Sequence, residues 1–346
     1  MAKAAKITGI DCNAAADPAI RLVLITRLEE MCAFRSGALD WRGPEGVHDM
    51  RVASRRLRGA LKDFLPYLGK RRLSTYQDQL KVIAQALGQV RDYDVEIMTL
   101  EKIAAKAPAE FSLGIRRFAE FRQAAREEAR EKLLVPLAPE SVETLRTKFA
   151  AVLNKSPTQR IKNPKQKSPV ATIHYREVAQ AVILKRLEDL ERFSESLYHP
   201  LKVKPLHKMR IAAKHLRYAL ELFGDCWGPS TATLAKRIAE LQSSLGKLHD
   251  CDVWIESLGH AATHPMPAVD FDYRATAVWL LGHFLKLRSK HVSEALSQWK
   301  DWETKAVSSQ LRQTILSIPS PTQAPSQARV DGPRANAGDN YSNSNR

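Results

Sequence analysis

VHDMRVASRRLRGALKDF, residues Val47 to Phe64, recurs in the same chain as LHKMRIAAKHLRYALELF, residues Leu206 to Phe223. At about 100° per residue, Met50, Ala53, Leu57, Leu61, Phe64 and the following Leu68 fall on one face of a helix. Met209, Ala212, Leu216, Leu220 and Phe223 repeat that face. Apolar residues at this spacing bury against other helices, so both segments read as amphipathic members of a bundle. Residues 20–34, 115–134, 178–193 and 275–299 carry the same periodicity, and runs of alternating β-branched residues are missing. The fold class expected is all-α.

The repetition reaches further along the chain. LGQVRDYDV (Leu87 to Val95) returns as LGKLHDCDV (Leu245 to Val253), and RLEE (Arg27 to Glu30) returns as RLED (Arg186 to Asp189). Three blocks in one order, offset by about 159 residues, argue for duplication of a whole module. Each module reads as four helices, the third ending near the Leu-Gly pair and the fourth following a capped turn. Residues 154–170 are rich in Pro, Lys and Ser and read as a flexible basic linker. Residues 318–346 are poor in large apolar side chains and read as a disordered tail. The organisation expected is an N-terminal extension (1–17), a first helical repeat (18–153), the linker, a second repeat (171–317) and the tail.

Lys+Arg number 54 against 38 Asp+Glu, a formal charge of +16 that favours an anionic partner over a small neutral substrate. Cys12, Cys32, Cys226 and Cys251 are scattered without a CxxC pair. That spacing points to a reduced, cytoplasmic compartment rather than a disulfide framework or zinc module. The N-terminal residues lack a sustained apolar region, and the most apolar stretch, Ala277 to Leu285, is too short to span a bilayer. No membrane partner is expected, and the oligomeric state is not readable.

Beside the apolar face runs a second stripe of His48, Arg51, Arg55, Arg58 and Lys62, matched by His207, Arg210, Lys214 and Arg217, with Glu221 ending it. Cations three and four residues apart repel one another, and a bound polyanion relieves that repulsion. From His48 to Lys62 the stripe covers about 21 Å of helix, the length of an extended anion. Arginine forks match phosphate oxygens. Pro44 and Pro205 lie just upstream of the two histidines, as suits a first helical turn whose free N–H groups attract anions. The stripe persists through the duplication while Asp49 becomes Lys208 and Lys62 becomes Glu221.

HDMRVASRRLR and HKMRIAAKHLR, together with LGQVRDYDV and LGKLHDCDV, resemble the two motifs of the CHAD family, the conserved histidine α-helical domain. The resemblance covers about Pro18 to Trp302. It implies two four-helix bundles related by a pseudo-two-fold, with a basic cleft that binds inorganic polyphosphate, and association with polyphosphate granules. Carried over, His48, Arg51, Arg55, Arg58, His207, Arg210, Lys214 and Arg217 would line the cleft, and Lys62 is added to the binding set from the helical wheel. Arg56, Arg91, His215 and His249 form a second tier, since Arg56 and His215 point away from the stripe on the helical wheel. Lys214 and His215 replace an Arg-Arg pair, and His249 stands where the first copy has Arg91, so the second half-site is expected to bind less firmly.

Other chemistries fit less well. His249-Asp250-Cys251-Asp252 contains metal-ligand types, but its counterpart Arg91-Asp92-Tyr93-Asp94 replaces His with Arg, so the aspartates are read as a helix cap and a partner for a basic side chain. His48 and His207 are single ligands among arginines, a poor setting for a cation. No phosphate-binding glycine loop or nucleophile elbow occurs, so no cofactor and no catalysis are expected; an Mg-dependent enzyme acting on polyphosphate would have only Asp92, Asp94, Asp250 and Asp252 to use. Nucleic acid is the rival partner, expected as weak non-specific binding, because the stripe carries no aromatic, Asn or Gln and Tyr218 lies off it on the wheel.

Overall fold

The computed structural model describes residues 5–68, 70–155, 173–263 and 272–317. Helices follow one another throughout: α1 (Ala16–Ala33), α2 (Arg35–Ala38), α3 (Glu45–Leu68), α4 (Lys70–Ala104), α5 (Ala109–Leu134) and α6 (Pro139–Lys155), then α7 (Tyr175–Glu191), α8 (Val203–Phe223), α9 (Ser230–Thr263), α10 (Tyr273–Thr304) and α11 (Val307–Leu316). Among the described residues there is no strand, only an isolated antiparallel bridge between Ala15 and His174. The all-α class holds. Among the same residues no helix is long and apolar enough to cross a membrane. The expected tail and most of the expected linker lie outside the described residues.

Periodicity placed the packing faces well. Met50, Ala53, Leu57, Leu61, Phe64 and Leu68 of α3 are buried, as are Met209, Ala212, Leu216, Leu220 and Phe223 of α8. Phe64 meets Phe223 edge-on at 5.7 Å between ring centroids, with Tyr175 of α7 beside both. These rings join α3, α7 and α8 within the larger core. A second, smaller core lies where the far ends of α4 and α9 meet α5 and α10, with Phe118 stacked on Tyr273 at 4.6 Å and Phe111 on Trp279 at 5.3 Å.

Three expectations are corrected here. The Leu-Gly pairs do not end helices: Gly88 lies inside α4 and Gly246 inside α9, and both helices continue to residues 104 and 263. A Cβ on Gly88 would stand 3.9 Å from Arg51 Nε, an ordinary contact distance, so Gly88 lies beside α3's arginine without being required there. The aspartates that follow are therefore not helix caps. Asp94 is buried beside Arg126 (3.6 Å), and Asp252 binds Arg288 (2.6 Å), whose guanidinium also donates to the Pro200 carbonyl. Only the expectation of a basic partner survives.

The second correction concerns helix number. The long α4 and α9 absorb the predicted turn, and each half then adds two further helices, so neither half is a simple four-helix bundle.

The third concerns the cysteines. Cys12 and Cys226 form a disulfide across 214 residues of sequence, while Cys32 and Cys251 remain thiols. Residues 10–15, read as part of an extension, lie along the start of α7. Arg176 N donates to the Cys12 carbonyl (2.9 Å) and Tyr175 N to the Ala14 carbonyl (3.0 Å). The Arg176 guanidinium donates to Asn13 and to the Cys226 carbonyl and sits over the Trp227 ring. Spacing along a chain says little about proximity across a fold, and the case for a reducing compartment loses this support.

Candidate functional site

The start of α3 is set by a close approach: a Cβ on Gly46 would lie 1.8 Å from the Gly37 carbonyl oxygen, so only glycine lets α2 pack there. That contact positions His48 and the stripe behind it. On α3 and α8 the stripes of the two halves converge. The Lys214 ammonium is surrounded by Arg210 of its own helix and by Arg55, Arg51 and Arg58 of α3. Burial first, then those four positive neighbours, bring its pKa down to about 8. Burial likewise lowers the pKa of Arg55, Arg58 and Arg210, although a guanidinium keeps its charge at neutral pH.

Partners for this charge are few. Arg217 is held at 2.9 Å by Glu221, which ends its stripe one turn on, and Arg51 reaches Asp92 of α4 at 3.3 Å, a partner that the wheel of α3 could not reveal. Asp92 and Asp250 lie within electrostatic range of Arg51, of Arg210 and of one another. Among the described residues no carboxylate comes within ion-pair distance of Arg55, Arg58, Lys62, Arg210 or Lys214. Among the same residues no three His, Cys, Asp or Glu side chains gather as a metal site.

The histidines are held neutral. Burial, then Arg91, lowers the pKa of His48; burial, then Arg210 and Lys214, lowers that of His207. His207 meets His249 at 3.2 Å between Nδ1 atoms, one imidazole donating to the other, and burial with Arg210 nearby takes His249 down to about 4. The first copy pairs its histidine with an arginine at this position and the second with another histidine, so the site carries less charge on the second side.

The CHAD domain profile matches residues 23–259 of the chain. The chain belongs to the CHAD domain family. The structure of the CHAD domain from the plant Ricinus communis aligns with a TM-score of 0.64 and 22% identity, covering 85% of this chain and 94% of that one. PptA from Streptomyces chartreusis aligns with a TM-score of 0.61 and 17% identity, covering 83% of this chain and 100% of that one. At these identities both likenesses are likenesses of fold. No curated protein matches the chain.

In this CHAD-domain chain the second-tier residues separate. Arg56 leaves the cleft and joins a buried ionic cluster, 3.2 Å from Glu30, which Arg27 also binds at 2.7 Å. His215 instead borders a cavity of about 700 Å³ at the far end of the stripes, with Arg55, Arg58, Lys62 and Lys214. Burial, then Arg186 and Lys62, takes His215 down to about 3. The wheel missed four polar residues of that cavity: Gln77, Asp78 and Lys81 from α4, and Tyr218, expected off the stripe. The Arg217 guanidinium lies 5.4 Å over the Tyr218 ring. Lys81 belongs to neither repeated motif, so nothing local marks it. Tyr218 is one residue past Arg217, and its reach across to α3 is decided by helix packing.

Proposed function

We propose that this CHAD-domain protein binds inorganic polyphosphate in the cleft between α3 and α8 and does so without catalysis. The observation that carries the reading is the convergence of cations from both helices on one cavity, with Arg55, Arg58, Lys62 and Lys214 all lacking a carboxylate partner among the described residues. Such crowding raises the energy of the unliganded cleft, and a chain with a charge on every phosphate lowers it through charge-assisted hydrogen bonds. We infer further that the two halves are copies related by an approximate two-fold. The sequence repeat supports this, as does the matching order of α1, α3, α4, α5 and α6 against α7 to α11. Association with polyphosphate granules follows from the same reading, and the cytoplasm is its proposed location.

Tyr218 favours a second reading, single-stranded nucleic acid, because a ring beside arginines is a stacking platform. One titration separates the two. Labelled long-chain polyphosphate competes against single-stranded and duplex DNA at equal phosphate concentration and physiological salt, with orthophosphate release followed with and without Mg²⁺. The expected result is that polyphosphate displaces DNA by orders of magnitude and no orthophosphate appears. Equal competition makes the cleft a generic polyanion surface, and released orthophosphate brings Asp92 and Asp250 into a catalytic role.

A further inference from the structure

The residues of the cavity at the far end of the stripes are not repeated at the matching positions of the other half. By the register of the repeat, Glu221 stands where Lys62 does and Ala239 where Lys81 does. Arg217, matching Arg58, is tied to Glu221 at 2.9 Å. Beside Glu221 and Tyr218 a small cavity of about 30 Å³ is lined also by Arg27, Arg56 and Asp63, so that two carboxylates stand among its walls. One end of the cleft is therefore open and cationic, while the other has fewer cations and an arginine paired with Glu221.

On the polyphosphate reading given above, we propose that the polyanion is anchored at one end only, in a subsite for a short linear oligophosphate built by Arg58, Lys62, Lys81 and Lys214. Lys81 is then a binding residue outside both repeated motifs. Four observations support the subsite. Its volume, about 700 Å³, is that of a small-molecule site rather than of a single-ion contact. None of the four cations has an ion-pair partner among the described residues, and Asp78 is the one carboxylate on the cavity wall. Gln77 and Tyr218 add neutral hydrogen-bonding groups that leave the charge unspent. Leu61 and Leu65 add buried apolar surface to the lining, which strengthens the phosphate contacts made against it. A long chain seated there runs on along the stripes toward Arg51, Arg210 and the histidine pair, with the contacts weakening as it goes.

The test uses the full chain and two probes, tripolyphosphate and long-chain polyphosphate, titrated at one fixed salt concentration. The variants are Lys62→Glu with Lys81→Glu, and a control, Lys148→Glu with Lys300→Glu, which makes the same charge change on exposed positions of α6 and α10. The wild type is expected to bind one tripolyphosphate. The cleft variant should lose about 30-fold or more for tripolyphosphate, the control about threefold or less. Equal losses in the two variants would show that Lys62 and Lys81 act through net charge alone, and the anchor falls. Long-chain binding by the wild type with no tripolyphosphate binding also overturns the anchor while leaving the function intact. Failure of the wild type to bind either probe overturns the function itself.

Discussion

Arg58 and Arg217 occupy matching places in two copies of one motif, yet they face different surroundings. Arg58 looks into a 700 Å³ cavity with Lys62 and Lys81. Arg217 is bound to Glu221 at 2.9 Å and covers the Tyr218 ring. The same contrast runs along the helices: Arg51 has Asp92 as a partner, whereas Arg210 feels Asp250 without an ion pair. The buried aspartates reverse the order of tightness, with Asp252 held by Arg288 at 2.6 Å and Asp94 beside Arg126 at 3.6 Å. The two motifs share their residue types. The residues around them differ, leaving one end of the cleft with unpaired cations and the other better paired.

The largest effect that sharpens this contrast concerns stability. Asp252→Ala leaves the Arg288 guanidinium buried and unpaired and should cost about 3–5 kcal/mol in denaturant unfolding. Asp94→Ala, with its longer and less well aligned partner, should cost about half as much or less. Equal costs would mean that the distances 2.6 and 3.6 Å carry no energetic difference.

Next comes binding. Arg51→Ala combined with Arg210→Ala should weaken long-chain polyphosphate about 100-fold, with the unfolding midpoint shifted by only a few degrees. Arg210→Ala alone should cost more than Arg51→Ala alone, because Asp92 already engages Arg51 in the free protein. Isothermal titration on the three variants ranks them; an unchanged affinity in the double variant removes the site.

A smaller effect is a pH dependence. Lys214 has its pKa lowered to about 8 in the free cleft, and a bound polyanion raises it again, since it favours the charged form. Affinity is therefore full below about 8 and falls as the pH rises through and above that value. Lys214→Arg should flatten the profile across this window, because a guanidinium stays charged there. A profile unaltered by Lys214→Arg would place the titrating group elsewhere.

The smallest is a gain. Glu221→Gln releases Arg217 and should tighten polyphosphate binding about twofold to fivefold, as expected for loss of one half-exposed carboxylate near the chain. No change would mean that the chain never reaches the second end of the cleft.

Much of this was legible from one dimension. Helical periodicity named the buried faces of α3 and α8 residue by residue, and the repeat set the order of the elements. Those properties are local: a helix of known pitch maps sequence spacing directly onto a face. The stripe was legible for the same reason, and its likeness to the CHAD motifs carried the expected chemistry to eight positions.

The rest depended on which faces meet. A glycine can end a helix or lie within one, and Gly88 does the second because α4 runs on to Ala104 and packs against α5. Cys12 and Cys226 look isolated until residues 10–15 run beside α7. Arg56 and His215 share one motif position, yet one is absorbed by Glu30 and the other reaches the cavity. The sequence by itself determined an all-helical, repeated chain with a cationic stripe on each of two helices, because pitch and charge are properties of the segment. Only the tertiary structure decided that the stripes converge, that Lys81 and Tyr218 join them, and that one end stays open. Those depend on distances between segments far apart in the chain, and packing alone sets such distances.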